Sequence, residues 1–352
     1  MKALREGFTT GSCAAACALA SCLWQRDGFC PDQVLITLPE GRSWRAQILA
    51  RSPFCCGVIK DSGDDPDITN GCEVRAEASL GEGDGPVTFR AGEGVGTITL
   101  PGLKLPVGEP AINPVPRRMI EEAVRSVYPT RALEVTVSIP GGQALAERTF
   151  NPRLGIVGGL SVLGTSGVVR PMSEDALQET IRLELSMRRA QGAEEIALAF
   201  GMQGENALRQ LLPGLPCVQI SNFVGFALDA CAELGFARAV LAGQPGKLCK
   251  VSGGCMQTHS RYGDGRRENV AAHLALLGAD RALIGRVMSA VTLEGVIGPI
   301  REAGYERVWG SLARSAAAYC AARVRGKTAI RAIVLDGEGA VLGEGLAERK
   351  QG

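Results

Sequence analysis

The sequence predicts an α+β first domain with a mixed or antiparallel sheet, followed by an α/β, Rossmann-like second domain. Three observations carry this. Early segments alternate apolar and polar residues, the pattern of strands with one buried face. Later segments alternate short apolar strands with helices, the rhythm of βαβ units on a parallel sheet. Between them, residues 151–171 are dense in glycine, with Gly155, Gly158, Gly159, Gly164 and Gly167. The boundary is expected at the start of that stretch, giving domains 1–150 and 151–352.

Thr9-Thr10-Gly11-Ser12 offers hydroxyl caps to an alanine-rich run that reads as a buried helix over 12–24. Lys2, Arg5 and the run Leu19-Ala20-Ser21-Cys22 have the outline of a secretion signal, but Glu6, Thr9, Thr10 and Ser12 interrupt it. Strands are expected at 34–38, 72–80 and 133–139, and an amphipathic helix at 116–128. Ser173 caps a long helix with Glu174 and Asp175 in its first turn, Arg188 and Arg189 in its last, and Gly192 beyond. The second part gives strands at 195–200, 217–220 and 238–242, with helices after the first two, the second closed by Gly235. Further helices fall near 268–277 and 311–324, and a strand at 329–335 completes the sheet.

Composition excludes several functions. Lys plus Arg number 38 against 37 Asp plus Glu, a net charge of +1, and aromatics are 5%. That leaves no electrostatic footprint for nucleic acid and few rings for stacking bases. Two histidines, His259 and His273, cannot build a three-His metal site, so no protein-held metal is expected. No segment reads as membrane-spanning. The twelve cysteines include no C-x-x-C pair and sit largely among apolar residues, which fits reduced, packed thiols in a cytoplasm. Glycine is the outlier, at 46 residues.

Gly201-Met202-Gln203-Gly204-Glu205 follows a strand and opens a helix, and Gly243-Gln244-Pro245-Gly246-Lys247 follows the third strand likewise. Ligands of open α/β sheets sit at such strand ends, where glycine admits close backbone approach and a helix start favours an anion. A nucleotide or S-adenosylmethionine pocket and a purely structural turn both fit. No acidic residue ends the second strand to hold a ribose. Asp61, Asp64, Asp65 and Asp67 in 60–71 fail the EF-hand spacing; they read as a solvated turn or as holders of basic groups. Arg117 and Arg118, at a helix start, have the forks that bind carboxylates. His259, in a polar loop, is a better functional candidate than His273 in its Ala/Leu helix.

Six strings, LREGFTTGSCAAA, VIKDSGDDPDITNG, GVGTITLPGL, GEPAINPVPRRMI, NPRLGIVGGLSVLGTSGVVRPMSEDAL and PGKLCKVSGGCMQTHSRYGDGR, resemble the CbiD family. They run in order from 4 to 266. The resemblance implies a cobalt-precorrin-5B C1-methyltransferase of anaerobic cobalamin biosynthesis. It implies S-adenosylmethionine as cofactor and a cobalt-containing tetrapyrrole as substrate, cobalt entering only with that substrate; a homo-oligomer is compatible with it. Under it the first domain is the tetrapyrrole side, with Thr9, Thr10, Ser12, Lys60, Asp65, Arg117, Arg118, Arg153 and Arg170 as substrate-binding candidates. The second is the cofactor side, with Gly201, Gln203, Gly204, Glu205, Asn222, Gly243, Gly246 and Lys247. Asp64 and His259 are the candidates for handling a proton. The alternatives are a dinucleotide-dependent oxidoreductase acting on a tetrapyrrole and a non-catalytic tetrapyrrole carrier.

Overall fold

The structure, a computed structural model, describes residues 4–349. It divides into two units, Met1–Ser173 and Glu174–Gly352. The first is centred on helix Thr10–Asp27, in which every residue from Thr10 to Cys22 is buried. Small side chains (Gly, Ser, Ala, Cys) cover it all round, which lets strands and a second helix, Pro114–Arg125, approach closely. Gly28, in the left-handed region at φ 82°, ends it by donating its N–H to the Trp24 carbonyl.

The helix packs on a five-stranded sheet ordered Leu49–Ser52, Cys55–Ile59, Glu73–Asp84, Arg131–Ser138, Val87–Ala91. Neighbours are antiparallel except the last pair, which is parallel. In Arg131–Ser138 the apolar residues alternate inward as the sequence pattern requires, with Leu133, Val135 and Val137 buried.

The glycine-rich stretch corrects the expected boundary at 150/151. Ile156–Val157 pairs with Thr97–Ile98, and Val168–Val169 pairs with Gly7–Phe8. It therefore belongs to the first unit, and the division falls after Ser173. Its glycines allow backbone to lie on backbone: a side chain at Gly159 would strike the main chain of Gly94 and Val95.

The second unit holds a five-stranded sheet ordered Cys217–Gln219, Glu195–Ala199, Arg238–Gly243, Ala329–Leu335, Val341–Ala347. The first four are parallel, and an antiparallel edge strand follows the one expected to complete the sheet. Apolar cores lie on two faces. One contains Leu208 of helix Met202–Leu211; the other contains helices Val224–Leu234 and Arg307–Arg323. The chain passes from the strand at 195–199 to one neighbour, then to the strand at 238–243 on the other side. The order reverses between these two strands, whose carboxyl ends are Gly201 and Gly243-Gln244.

Candidate functional site

In the first unit, segment 5–8 gathers several of the expected residues. Arg5 forks onto Asp61 with two guanidinium nitrogens and donates its backbone N–H to Asp64 at 2.7 Å. The Phe8 N–H donates to the Asp61 carbonyl at 2.8 Å. Gly7 and Gly63 are required here, because a side chain at either would enter the opposing backbone. Arg170 reaches Glu40 at 2.7 and 2.8 Å and Glu6 at 3.3 Å, while Asp65 accepts the Met172 N–H at 3.0 Å. Asp64 is exposed.

The hydroxyls of the opening helix are spent internally. Thr9 caps it by accepting from the Ser12 N–H at 3.2 Å; Ser12 Oγ donates to the Gly167 carbonyl at 2.6 Å. Thr10 Oγ1 accepts the Leu163 N–H at 2.9 Å, and the Gly11 N–H donates to the Leu163 carbonyl at 3.1 Å. All three hydroxyl residues are buried, so this helix start binds the 163–167 loop.

Lys60 is 2% exposed and donates to Ser62 and, at 2.6 Å, to Asp67 Oδ2. Burial alone would raise the Asp67 carboxyl. The charge of Lys60 and hydrogen bonds from Lys60 and Thr69 outweigh burial and hold its pKa below the usual carboxylate range. Arg117 is likewise engaged: it donates to the Ile112 carbonyl at 2.8 Å, to Glu109 at 2.8 Å and to the Pro110 carbonyl at 3.1 Å, over the Phe89 ring. Its neighbour Arg118 is exposed and has no partner among the described residues. Arg153 lies over the Phe150 ring.

The second unit places its candidates at the carboxyl ends of the parallel strands. Helices Met202–Leu211, Val224–Leu234 and Pro245–Ser252 all start there without a side-chain cap; in the second, the first-turn Gly225 N–H already donates to the Met256 carbonyl at 2.9 Å. Gly201 has extended backbone at φ 179°, and a Cβ added to it would meet nothing within 4 Å. Neither strain nor crowding demands glycine at that position. Gly243 differs, since a Cβ there would run into the Phe200 ring. Gln203 donates to the Gly337 carbonyl at 2.7 Å, and buried Glu205 accepts from Arg209 and Gln219. Gly204 and Gly246 have only ordinary van der Waals space around them.

Asn222 is a junction. Its Oδ1 accepts from Lys247 Nζ and from Thr258 Oγ1 at 3.1 Å, and its carbonyl accepts the Thr258 N–H at 3.1 Å. Behind it Lys250, 4% exposed, donates to the carbonyls of Thr258 and Gly263 at 3.2 and 3.0 Å. Arg266 forks onto Asp264, whose carboxyl that hydrogen bond lowers to about 2. Burial first, then the like charges of Lys250 and Arg266, lowers the Lys247 ammonium from its ordinary value. His259 is exposed; its Nδ1 accepts the Arg261 N–H at 3.2 Å, capping a short 3-10 turn. Asp64 and His259 belong to different units.

Residues 1–171 match the CbiD family model, and residues 257–345 match the model described as CbiD, C-terminal domain. A protein of Alkaliphilus metalliredigens named cobalt-precorrin-5B C(1)-methyltransferase is 42% identical over 97% of this chain and 92% of its own length. The chain belongs to the CbiD family. A protein of the same name from Moorella thermoacetica is 40% identical over 99% of this chain and 96% of its own. The crystal structure of the cobalamin biosynthesis protein cbiD from Archaeoglobus fulgidus is 25% identical over 76% of this chain and 84% of its own, with a TM-score of 0.41. In this CbiD chain no described helix is long and apolar enough to cross a membrane. Lys250, Thr258 and Arg266 were not singled out in the sequence. The available signal was a lysine inside the apolar run Leu248-Cys249-Lys250-Val251.

Proposed function

We infer that the chain is a cobalt-precorrin-5B C(1)-methyltransferase that takes its methyl group from S-adenosylmethionine. The observation that carries this is identity of 40–42% across nearly the whole chain to relatives of that name. Bound, S-adenosylmethionine supplies an already activated methyl group. The protein's contribution is then chiefly to hold an acceptor carbon in line with it.

The second unit, read as Rossmann-like, is assigned to the methyl donor. Three uncapped helix starts at one sheet edge and a glycine at 201 that nothing in the fold requires support that reading. Asn222 and Lys247 supply a paired acceptor and cation beside them. The first unit is assigned to the tetrapyrrole, whose acetates and propionates suit Arg118, Arg153 and Arg170. Thr9, Thr10, Ser12, Asp65 and Arg117 brace the segments that carry Arg170 and Arg118, and Lys60 holds the loop that presents Asp65. Where the reaction releases a proton, exposed Asp64 or His259 receives it. The burial of most of the twelve cysteines fits packed thiols in a reducing cytoplasm.

The test is to incubate the purified protein with cobalt-precorrin-5B and methyl-labelled S-adenosylmethionine. Label is expected in the tetrapyrrole, at one methyl per ring; a ring fraction without label overturns the reading. Gly201→Val should keep the melting temperature and weaken S-adenosylmethionine binding in calorimetry. Unchanged affinity would remove the donor from this sheet edge.

A further inference from the structure

Around the start of helix Pro245–Ser252 the second unit gathers one buried and two half-buried cations, Lys250, Lys247 and Arg266. Lys250 is almost fully buried, yet its ammonium meets only two carbonyls, and one N–H has no partner among the described residues. Among those residues no carboxylate lies within ion-pair distance of Lys250 or Lys247. Asp264 is committed to Arg266, and Glu294 acts on Arg266 only at longer range. Three cations thus face two carboxylates, one of them already paired. Buried ammonium groups ordinarily have a counter-charge, because desolvation costs several kcal/mol per ion.

The donors also converge. Arg266 uses Nε and one terminal nitrogen on Asp264, while its other terminal nitrogen lies 3.8 Å, and Glu294 Oε1 3.7 Å, from where a Cβ on Gly246 would be. Gly246 is in the first, uncapped turn of Pro245–Ser252, the helix that also carries Lys247 and Lys250. Of the three cations Arg266 alone lines a cleft of about 230 Å³, together with Asp264, Arg267, Ser289, Thr292 and Leu293. That volume takes a short acyclic arm and excludes a macrocycle.

We propose that Lys247, Lys250 and Arg266 form one receptor for a carboxylate carried on a flexible arm of a reactant. This rests on the function inferred above, whose two reactants both carry such arms: the amino-acid end of the methyl donor, and the acetates and propionates of the tetrapyrrole.

Calorimetry on the full chain tests it with three probes: S-adenosylhomocysteine, 5′-methylthioadenosine (the same nucleoside without the carboxylate arm) and cobalt-precorrin-5B. Arg266→Gln, folded to the wild-type melting temperature, should lose about 10- to 100-fold in affinity for a carboxylate-bearing probe. Loss for S-adenosylhomocysteine with 5′-methylthioadenosine unchanged assigns the receptor to the donor. Loss for cobalt-precorrin-5B alone assigns it to the tetrapyrrole. Asp264→Asn removes a competing carboxylate and should tighten the same probe that Arg266→Gln weakens. Should Lys250→Met fail to fold, these two variants still decide. Equal loss for both nucleosides, or no loss for any probe, overturns the proposal. Wild-type protein that binds these probes yet methylates nothing counts against the inferred activity and leaves the receptor standing.

Discussion

Lys60 and Asp67 form a buried pair that is unequal in exposure, 2% against 25% of the side chain. Removing the carboxylate strands an ammonium in the interior. Asp67→Asn should therefore cost about 3 kcal/mol or more, read from the urea midpoint of the first unit's unfolding. Lys60→Met leaves a carboxylate that still accepts from the Thr69 N–H and hydroxyl and touches solvent, so about 1–2 kcal/mol is expected. The reverse order would show that Asp67 is the member needing neutralisation. Because the folded pKa of Asp67 is depressed, its stabilising contribution is complete above the unfolded value of about 3.9 and is lost as pH falls toward the folded one. Asp67→Asn should flatten that acid limb. Of the aspartates in 60–71, two hold basic groups, Asp67 on Lys60 and Asp61 on Arg5, while Asp61 and Asp64 stay exposed as a solvated turn would have them. Lys250 went unread because a lysine in an apolar run gives no sign of whether its head reaches water, and here it does not.

The two glycines that end neighbouring parallel strands look alike in sequence and differ in the fold. At Gly243 the Phe200 ring occupies the space of a Cβ, so Gly243→Ala forces the ring aside and should cost about 1–3 kcal/mol in thermal or urea unfolding. A neutral result would mean that the ring rotates freely away. Strand–helix alternation in 195–243 was legible because each strand is a short apolar run and is followed by glycine or polar residues, Gly201 after the first and Ser221-Asn222 after the second, before the next helix. Helix Pro245–Ser252 was not, since Gly-Gln-Pro-Gly reads as a turn. Pro245 at its first position, where a missing N–H costs nothing, was the overlooked signal. Of the first unit's outer strands, Leu49–Ser52 lacks an inward alternating face and gave no pattern to find, whereas Val87–Ala91 does alternate, with Val87, Phe89 and Ala91 on the core and Thr88 and Arg90 exposed, a signal overlooked in the sequence.

Each unit closes its own apolar core, one around helix Thr10–Asp27 and the other on the two faces of the parallel sheet. The separation into two was readable from length and rhythm. Its place was not, because glycines that seat backbone on backbone look in sequence like a linker. Separate cores give ligand binding a regional signature. A ligand that binds only the folded form at about 100 times its Kd stabilises the unit that holds it by about 2.7 kcal/mol. That corresponds to roughly hundredfold slower exchange of amides that open with that unit. With S-adenosylhomocysteine present, hydrogen exchange should slow in Glu195–Ala199, Arg238–Gly243 and Pro245–Ser252. Arg131–Ser138 and Thr10–Asp27 should exchange as before. Asp67→Asn should do the complementary thing, hastening exchange in the first unit and leaving the parallel sheet unchanged. Slowing that appears instead around Thr10–Asp27 would move the methyl donor to the first unit and take the carboxylate receptor's donor arm with it.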